Sequence, residues 1–114
     1  MIVELTRFRV KDGMSEMVDE WLEFLNNNMK DVLLTLDREK MYVETIFREV
    51  LDGHEYLYWY SVQGENGQDV ETSEHEVDRK HLKYWEKCID KSFGSKDLTT
   101  EVVMISKKMM EAMD

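Results

Sequence analysis

The chain has 114 residues, 42% of them hydrophobic and 35% charged, and its 15 Lys and Arg against 25 Asp and Glu leave a formal charge of −10. That length fits one domain, and the charge excludes a general nucleic-acid binder and disfavours an anionic membrane surface. No apolar run reaches the ~20 residues of a membrane span, the start MIVELTRFRV alternates and carries charge unlike a secretory leader, and Cys88 as the one cysteine excludes an intrachain disulfide and a paired-cysteine metal site; a cytoplasmic protein is expected.

Residues 2–10 alternate apolar and polar side chains and predict a strand, closed by the turn Lys11-Asp12-Gly13. Ser15 is read as an N-cap, with Glu16, Asp19 and Glu20 matching the positive end of a helix. Val18, Trp21, Leu22, Leu25, Met29, Val32, Leu33 and Leu36 recur in steps of three and four and define one helical face. Asn26-Asn27-Asn28 lowers helix propensity and marks a kink or break.

Residues 41–50 predict a second strand. Asp52-Gly53 then supplies the positive φ of a tight hairpin, and residues 55–63 form a third strand around Tyr-Leu-Tyr-Trp-Tyr. Residues 64–72 are read as a loop, too far from the EF-hand pattern to predict calcium. Ser73 with Glu76 has the spacing of a capping box, opening a second helix to about residue 90 with Val77, His81, Leu82, Trp85 and Cys88 on one face. Residues 91–100 read as irregular, 101–107 as a fourth strand and 108–114 as a Met-rich tail. The domain is therefore expected over residues 1–107.

The order β-α-β-β-α-β predicts an α+β, ferredoxin-like domain, a four-stranded antiparallel sheet with both helices on one face. Met41, Val43, Phe47, Leu57 and Trp59 are assigned to the helix side. Tyr42, Glu44, Ile46, Arg48, Tyr56, Tyr58, Tyr60 and Val62 are assigned to the uncovered side, joined by Val3, Leu5, Arg7 and Arg9 of the first strand. A face so aromatic predicts a homodimer joined through its sheets.

The layout resembles the dimeric α+β barrel superfamily, which includes antibiotic-biosynthesis-type monooxygenases and rhamnose mutarotase-like proteins. The segments EKMYVETIFRE (39–49), EYLYWYSVQGE (55–65) and DRKHLKYWEKCID (78–90) resemble a bacterial family of small uncharacterised proteins. The first resemblance implies a dimeric barrel. No catalytic residue transfers from the monooxygenases or mutarotases.

The residues themselves offer one polar constellation. Glu44 beside tyrosine hydroxyls in a semi-dry cavity suits a general base, and His81 is the best proton-transfer candidate. Arg48, Tyr58, Tyr60, Arg7 and Trp85 are expected to bind a small molecule at the sheet face of the dimer. The alternative is that these side chains only build an interface in a non-enzymatic, interacting or regulatory dimer. His81 as a haem ligand is a third reading, but no metal-site spacing accompanies it and no cofactor or metal is expected. Cys88, flanked by Glu86 and Asp90, reads as a small core residue rather than a nucleophile. The protein is expected to be a small-molecule-binding protein or an enzyme; if it is an enzyme, cofactor-independent oxygenation, isomerisation or mutarotation of a small organic molecule fits best.

Overall fold

The computed structural model describes residues 1–67, 73 and 75–113. The elements run β1 (Ile2–Arg9), α1 (Ser15–Asn27), α2 (Met29–Glu39), β2 (Met41–Leu51), β3 (His54–Gln63), α3 (Glu76–Cys88), β4 (Lys96–Asp97) and α4 (Lys107–Ala112). The sheet order is β2-β3-β1-β4, and every neighbouring pair is antiparallel. This is the ferredoxin-like α+β arrangement expected from the order of elements.

The first helical stretch is two helices. The break falls at Asn28, whose Nδ2 donates to the Phe24 carbonyl at 2.8 Å while its own carbonyl accepts from Val32 N at 3.0 Å. A side chain that bonds backward to the preceding turn is a local competitor of the helical ladder. Both helices keep an apolar stripe toward the sheet, with Val18 and Trp21 fully buried. The β2–β3 hairpin turns on Asp52 at φ 52° and Gly53 at φ 78°, the left-handed pair that Asp-Gly adopts at low cost.

Two expected caps differ. Met14 is the N-cap of α1, and Ser15 lies inside the helix, where its hydroxyl donates to Glu55 at 2.7 Å. The N-cap of α3 is His75, whose Nδ1 accepts from Val77 N at 3.3 Å. Ser73 Oγ accepts from His75 N at 3.1 Å. The loop expected over 64–72 lies outside the described residues from 68 onward.

The fourth strand is shorter and earlier than its apolar pattern suggests. Thr6 and Arg7 pair with Asp97 and Lys96, Leu98 N donates to Leu5 O at 2.9 Å, and residues 101–106 take no regular structure. Val102 is 70% and Met104 88% exposed, so the β-branched run at 101–106 pairs with no strand among the described residues.

One irregularity decides which side chains meet the helices. Met41 pairs with Gln63, but Val43 pairs with Val62, so Tyr42 is an extra residue in β2. A bulge of one residue reverses the alternation beyond it. From there on, Glu44, Ile46 and Arg48 stand opposite Ser61, Trp59 and Leu57 on the helix side, and Val43, Thr45 and Phe47 stand on the uncovered side. The assignment of Val43 and Phe47 to the core is thereby corrected, as is that of Glu44, Ile46 and Arg48 to the open face. Met41, before the bulge, keeps its expected side. So do Leu57 and Trp59 in β3 and Leu5 and Arg7 in β1, which oppose Tyr60 and Tyr58 on the uncovered face.

The core joins Val10, Val18, Trp21, Leu57, Cys88 and Ile89, with Phe8, Ile46, Trp59 and Trp85 packed against it. Cys88 is fully buried, and burial pushes its thiol above the ordinary value. That environment suppresses the thiolate, so Cys88 is a packing residue.

Candidate functional site

A cavity of about 780 Å³ lies between the covered face of the sheet and the three helices α1, α2 and α3. Its floor is β1, β2 and β3, which contribute Thr6, Phe8, Glu44, Ile46, Trp59 and Ser61. Its walls come from Leu22 and Leu25 of α1, Val32, Thr35 and Leu36 of α2, and Val77, Asp78, His81 and Trp85 of α3. The size matches that of small-molecule sites, as does a mainly apolar lining with a few convergent polar groups. The cavity lies on the opposite side of the sheet from the dimer face on which a site was expected.

Glu44 enters it because the bulge at Tyr42 rotates β2. Its Oε1 accepts from the Trp59 indole Nε1 at 2.8 Å. Burial raises its pKa above the ordinary carboxylate value, the Trp59 hydrogen bond opposes that rise, and the negative charge of Asp78 adds to it. Desolvation thus dominates.

His81 lies between two indoles, its ring centroid 5.5 Å from both Trp21 and Trp59. Trp21 Nε1 donates to His81 Nδ1 at 3.0 Å. An indole can only donate, so Nδ1 is the bare nitrogen and the proton of the neutral ring sits on Nε2. Burial lowers the His81 pKa to about 4, with the Asp78 charge opposing. The imidazole is therefore neutral at physiological pH and offers an N–H donor.

Trp85 and Phe8 close the same space, their rings 4.4 Å apart and near perpendicular. Asp78 belongs to this site although sequence reasoning passed it over. Only 6% exposed, it lines the cavity three residues before His81 on α3. The signal was present, since the i, i+3 spacing puts Asp78 on the His81 face of the helix.

The remaining expected ligands are elsewhere. Arg48 lies on the helix side but is held by Asp19 at 2.5 Å, Glu55 at 3.1 Å and the Ser15 carbonyl at 3.0 Å, away from the cavity lining. Tyr58 donates to Glu49 at 2.6 Å on the open face. Tyr60 shares that face, as does Arg7, which stacks over the Tyr56 ring at 5.4 Å. Of the expected set, the structure brings Glu44, His81 and Trp85 together and leaves Arg48, Tyr58, Tyr60 and Arg7 apart from them. Among the described residues, no group of three or more His, Cys, Asp and Glu is arranged to hold a metal ion. No helix among them is long and apolar enough to cross a membrane.

The sequence matches one family pattern across residues 1–111. The chain belongs to the family of unknown function DUF6176. Its fold is similar to that of an L-rhamnose mutarotase from Formosa agariphila, with a TM-score of 0.54 at 14% identity over 94% of this chain and 100% of that chain. At that identity the likeness shows a common fold and no more. No curated protein matches the sequence.

Proposed function

We propose that this chain is a cofactor-independent isomerase of the mutarotase kind, acting on a small cyclic hemiacetal in the cavity between sheet and helices. One observation carries the reading: a half-buried carboxylate, Glu44, and a neutral imidazole, His81, line the same cavity, each oriented by its own indole N–H. The fold likeness to an L-rhamnose mutarotase agrees with it.

The chemistry needs no external reagent. Ionised Glu44 takes the proton of the anomeric hydroxyl as the bond from the anomeric carbon to the ring oxygen breaks. The Nε2–H of His81 stabilises the charge developing on the ring oxygen. Glu44 then returns the proton to that oxygen, giving the open-chain carbonyl. Closure on the other face of the carbonyl, by the same steps in reverse, gives the second anomer. Glu44 begins and ends ionised, so protons balance. Trp85 and Phe8 keep the site partly dry and provide an apolar wall for the ring.

A homodimer joined through the open sheet face accompanies this reading. Phe47 of β2 is 55% exposed on the open face, a surface that a second sheet would cover. A reducing cytoplasm suits the free Cys88 thiol.

The test is exchange-type NMR on a panel of reducing monosaccharides. The wild type should speed exchange between the two anomers of at least one sugar, and Glu44→Gln should slow it by roughly 10²–10⁴-fold, the range for a lost general base. If no sugar is accelerated although ligands bind the cavity, the protein is a binding or regulatory module instead.

A further inference from the structure

Asp78 has a feature that the proton-transfer scheme does not use. It is 6% exposed and borders the cavity, and none of the hydrogen bonds or ion pairs among the described residues engages its carboxylate; since no fully buried side-chain oxygen is without a partner, its oxygens are open to the cavity. Buried carboxylates are ordinarily bonded or paired, because leaving one without a partner is costly. It stands in the first turn of α3, at the positive end of the helix dipole. A ligand in the cavity can therefore reach and partner this carboxylate.

The other cavity residues specify that partner's charge. Among the described residues, no Lys or Arg lines the cavity, while Glu4, Glu44 and Asp78 do. The Trp21 and Trp59 indole N–H groups are already committed, to His81 and Glu44. An anionic ligand would meet carboxylates and no cation. A ligand bearing an ammonium group would meet the Asp78 carboxylate and the aromatic walls of Trp59 and Trp85, the combination that recognises alkylammonium ions.

We propose that Asp78 anchors an ammonium group of the ligand, so that the substrate class of this cavity is a cyclic amino alcohol, an amino sugar in the setting of a mutarotase. This rests on the cavity being a ligand site and goes beyond the acid–base roles of Glu44 and His81. Phosphorylated and carboxylated sugars are excluded by the same charges.

Three ring compounds of matched size test it: trans-2-aminocyclohexanol, trans-cyclohexane-1,2-diol and trans-2-hydroxycyclohexanecarboxylate. Binding is read from tryptophan fluorescence, since Trp59 and Trp85 line the cavity. The amine should bind roughly ten-fold tighter than the diol, the margin of one charge-assisted contact, and the carboxylate should not bind. Asp78→Asn should bring amine and diol to the same affinity. The exposed variant Glu16→Gln, which makes the same change in net charge, should keep the preference and so separate a local contact from general attraction to an acidic protein. Equal binding of amine and diol by the wild type, or an amine preference that survives Asp78→Asn, overturns the proposal and leaves the cavity reading standing. If none of the three binds, the cavity reading fails and the proposal with it.

Discussion

Trp21 donates its indole proton to His81 Nδ1 across 3.0 Å, joining α1 to α3 over the sheet. Trp21 is fully buried, so this donor has no alternative partner in water. The bond fixes the tautomer of the imidazole, and burial fixes its charge.

The His81 environment predicts how stability depends on pH. Its pKa falls from 6.5 to about 4 on folding. An unfolded chain therefore takes up this proton first, and the stability gained from burying a neutral ring is full above pH 6.5 and is lost as pH falls toward 4. The whole shift corresponds to about 3 kcal/mol. Glu44 acts in the opposite sense: its pKa is raised on folding, so its contribution is full below 4.5 and is lost as pH rises through the folded value. Urea unfolding should show lower stability at pH 5 than at pH 7. His81→Gln, which keeps an acceptor for Trp21 but does not titrate, should remove most of that decline. A decline unchanged in His81→Gln would assign it to other groups.

Asp78→Asn should stabilise the free protein. Neutralising a largely desolvated carboxylate that repels Glu44 gains about 1–3 kcal/mol, while losing a carboxylate at a helix N-terminus costs about 0.3–1 kcal/mol. The first outweighs the second, so the midpoint of thermal unfolding should rise by several degrees. A lower midpoint would mean that Asp78 serves the helix rather than a ligand.

Arg48 and Glu44 lie on one face of one strand yet should separate cleanly in experiment. Arg48→Met breaks pairs with Asp19 and with Glu55, whose side chain is 11% exposed. The expected loss is about 1–2 kcal/mol, more than a fully exposed pair would give, with cavity binding unchanged. Glu44→Gln should weaken activity with little loss of stability, because burial already opposes the charged form. Chemical denaturation and fluorescence titration of both variants decide the matter.

Phe47→Asp probes the open face. A charge there opposes a sheet-to-sheet dimer without entering the core, since Phe47 is 55% exposed. Sedimentation equilibrium should find a wild-type dimer and a variant monomer with intact circular dichroism. A monomeric wild type at tens of micromolar would remove the dimer from the account.

The activity profile follows from Glu44. It must be ionised to accept a proton, so anomer exchange should rise with pH to a midpoint above the usual carboxylate range and then level off. His81, neutral across that window, should not add a second limb.

Much of this architecture was readable along the chain. Periodicity and turn chemistry gave two apolar helical stripes, the Asp-Gly hairpin and the order of elements, since these depend on residues adjacent in sequence. Periodicity likewise put His81 and Trp85 on one helical face. The charge balance and the lone cysteine are properties of composition alone. What the sequence could not reveal was parity in β2, because the extra residue at Tyr42 has no local signature and shows itself only in the pairing of Met41 with Gln63 and Val43 with Val62. That single residue turns Glu44 inward to Trp59 and Phe47 outward. The fourth strand failed for a related reason: the β-branched run at 101–106 has strand propensity, but a strand also needs an edge within reach, and β1 pairs instead with Lys96 and Asp97. Local chemistry determined which elements form, and only the long-range pairing of strands and helices decided which side chains share the cavity, because a site depends on distances between residues far apart in the chain.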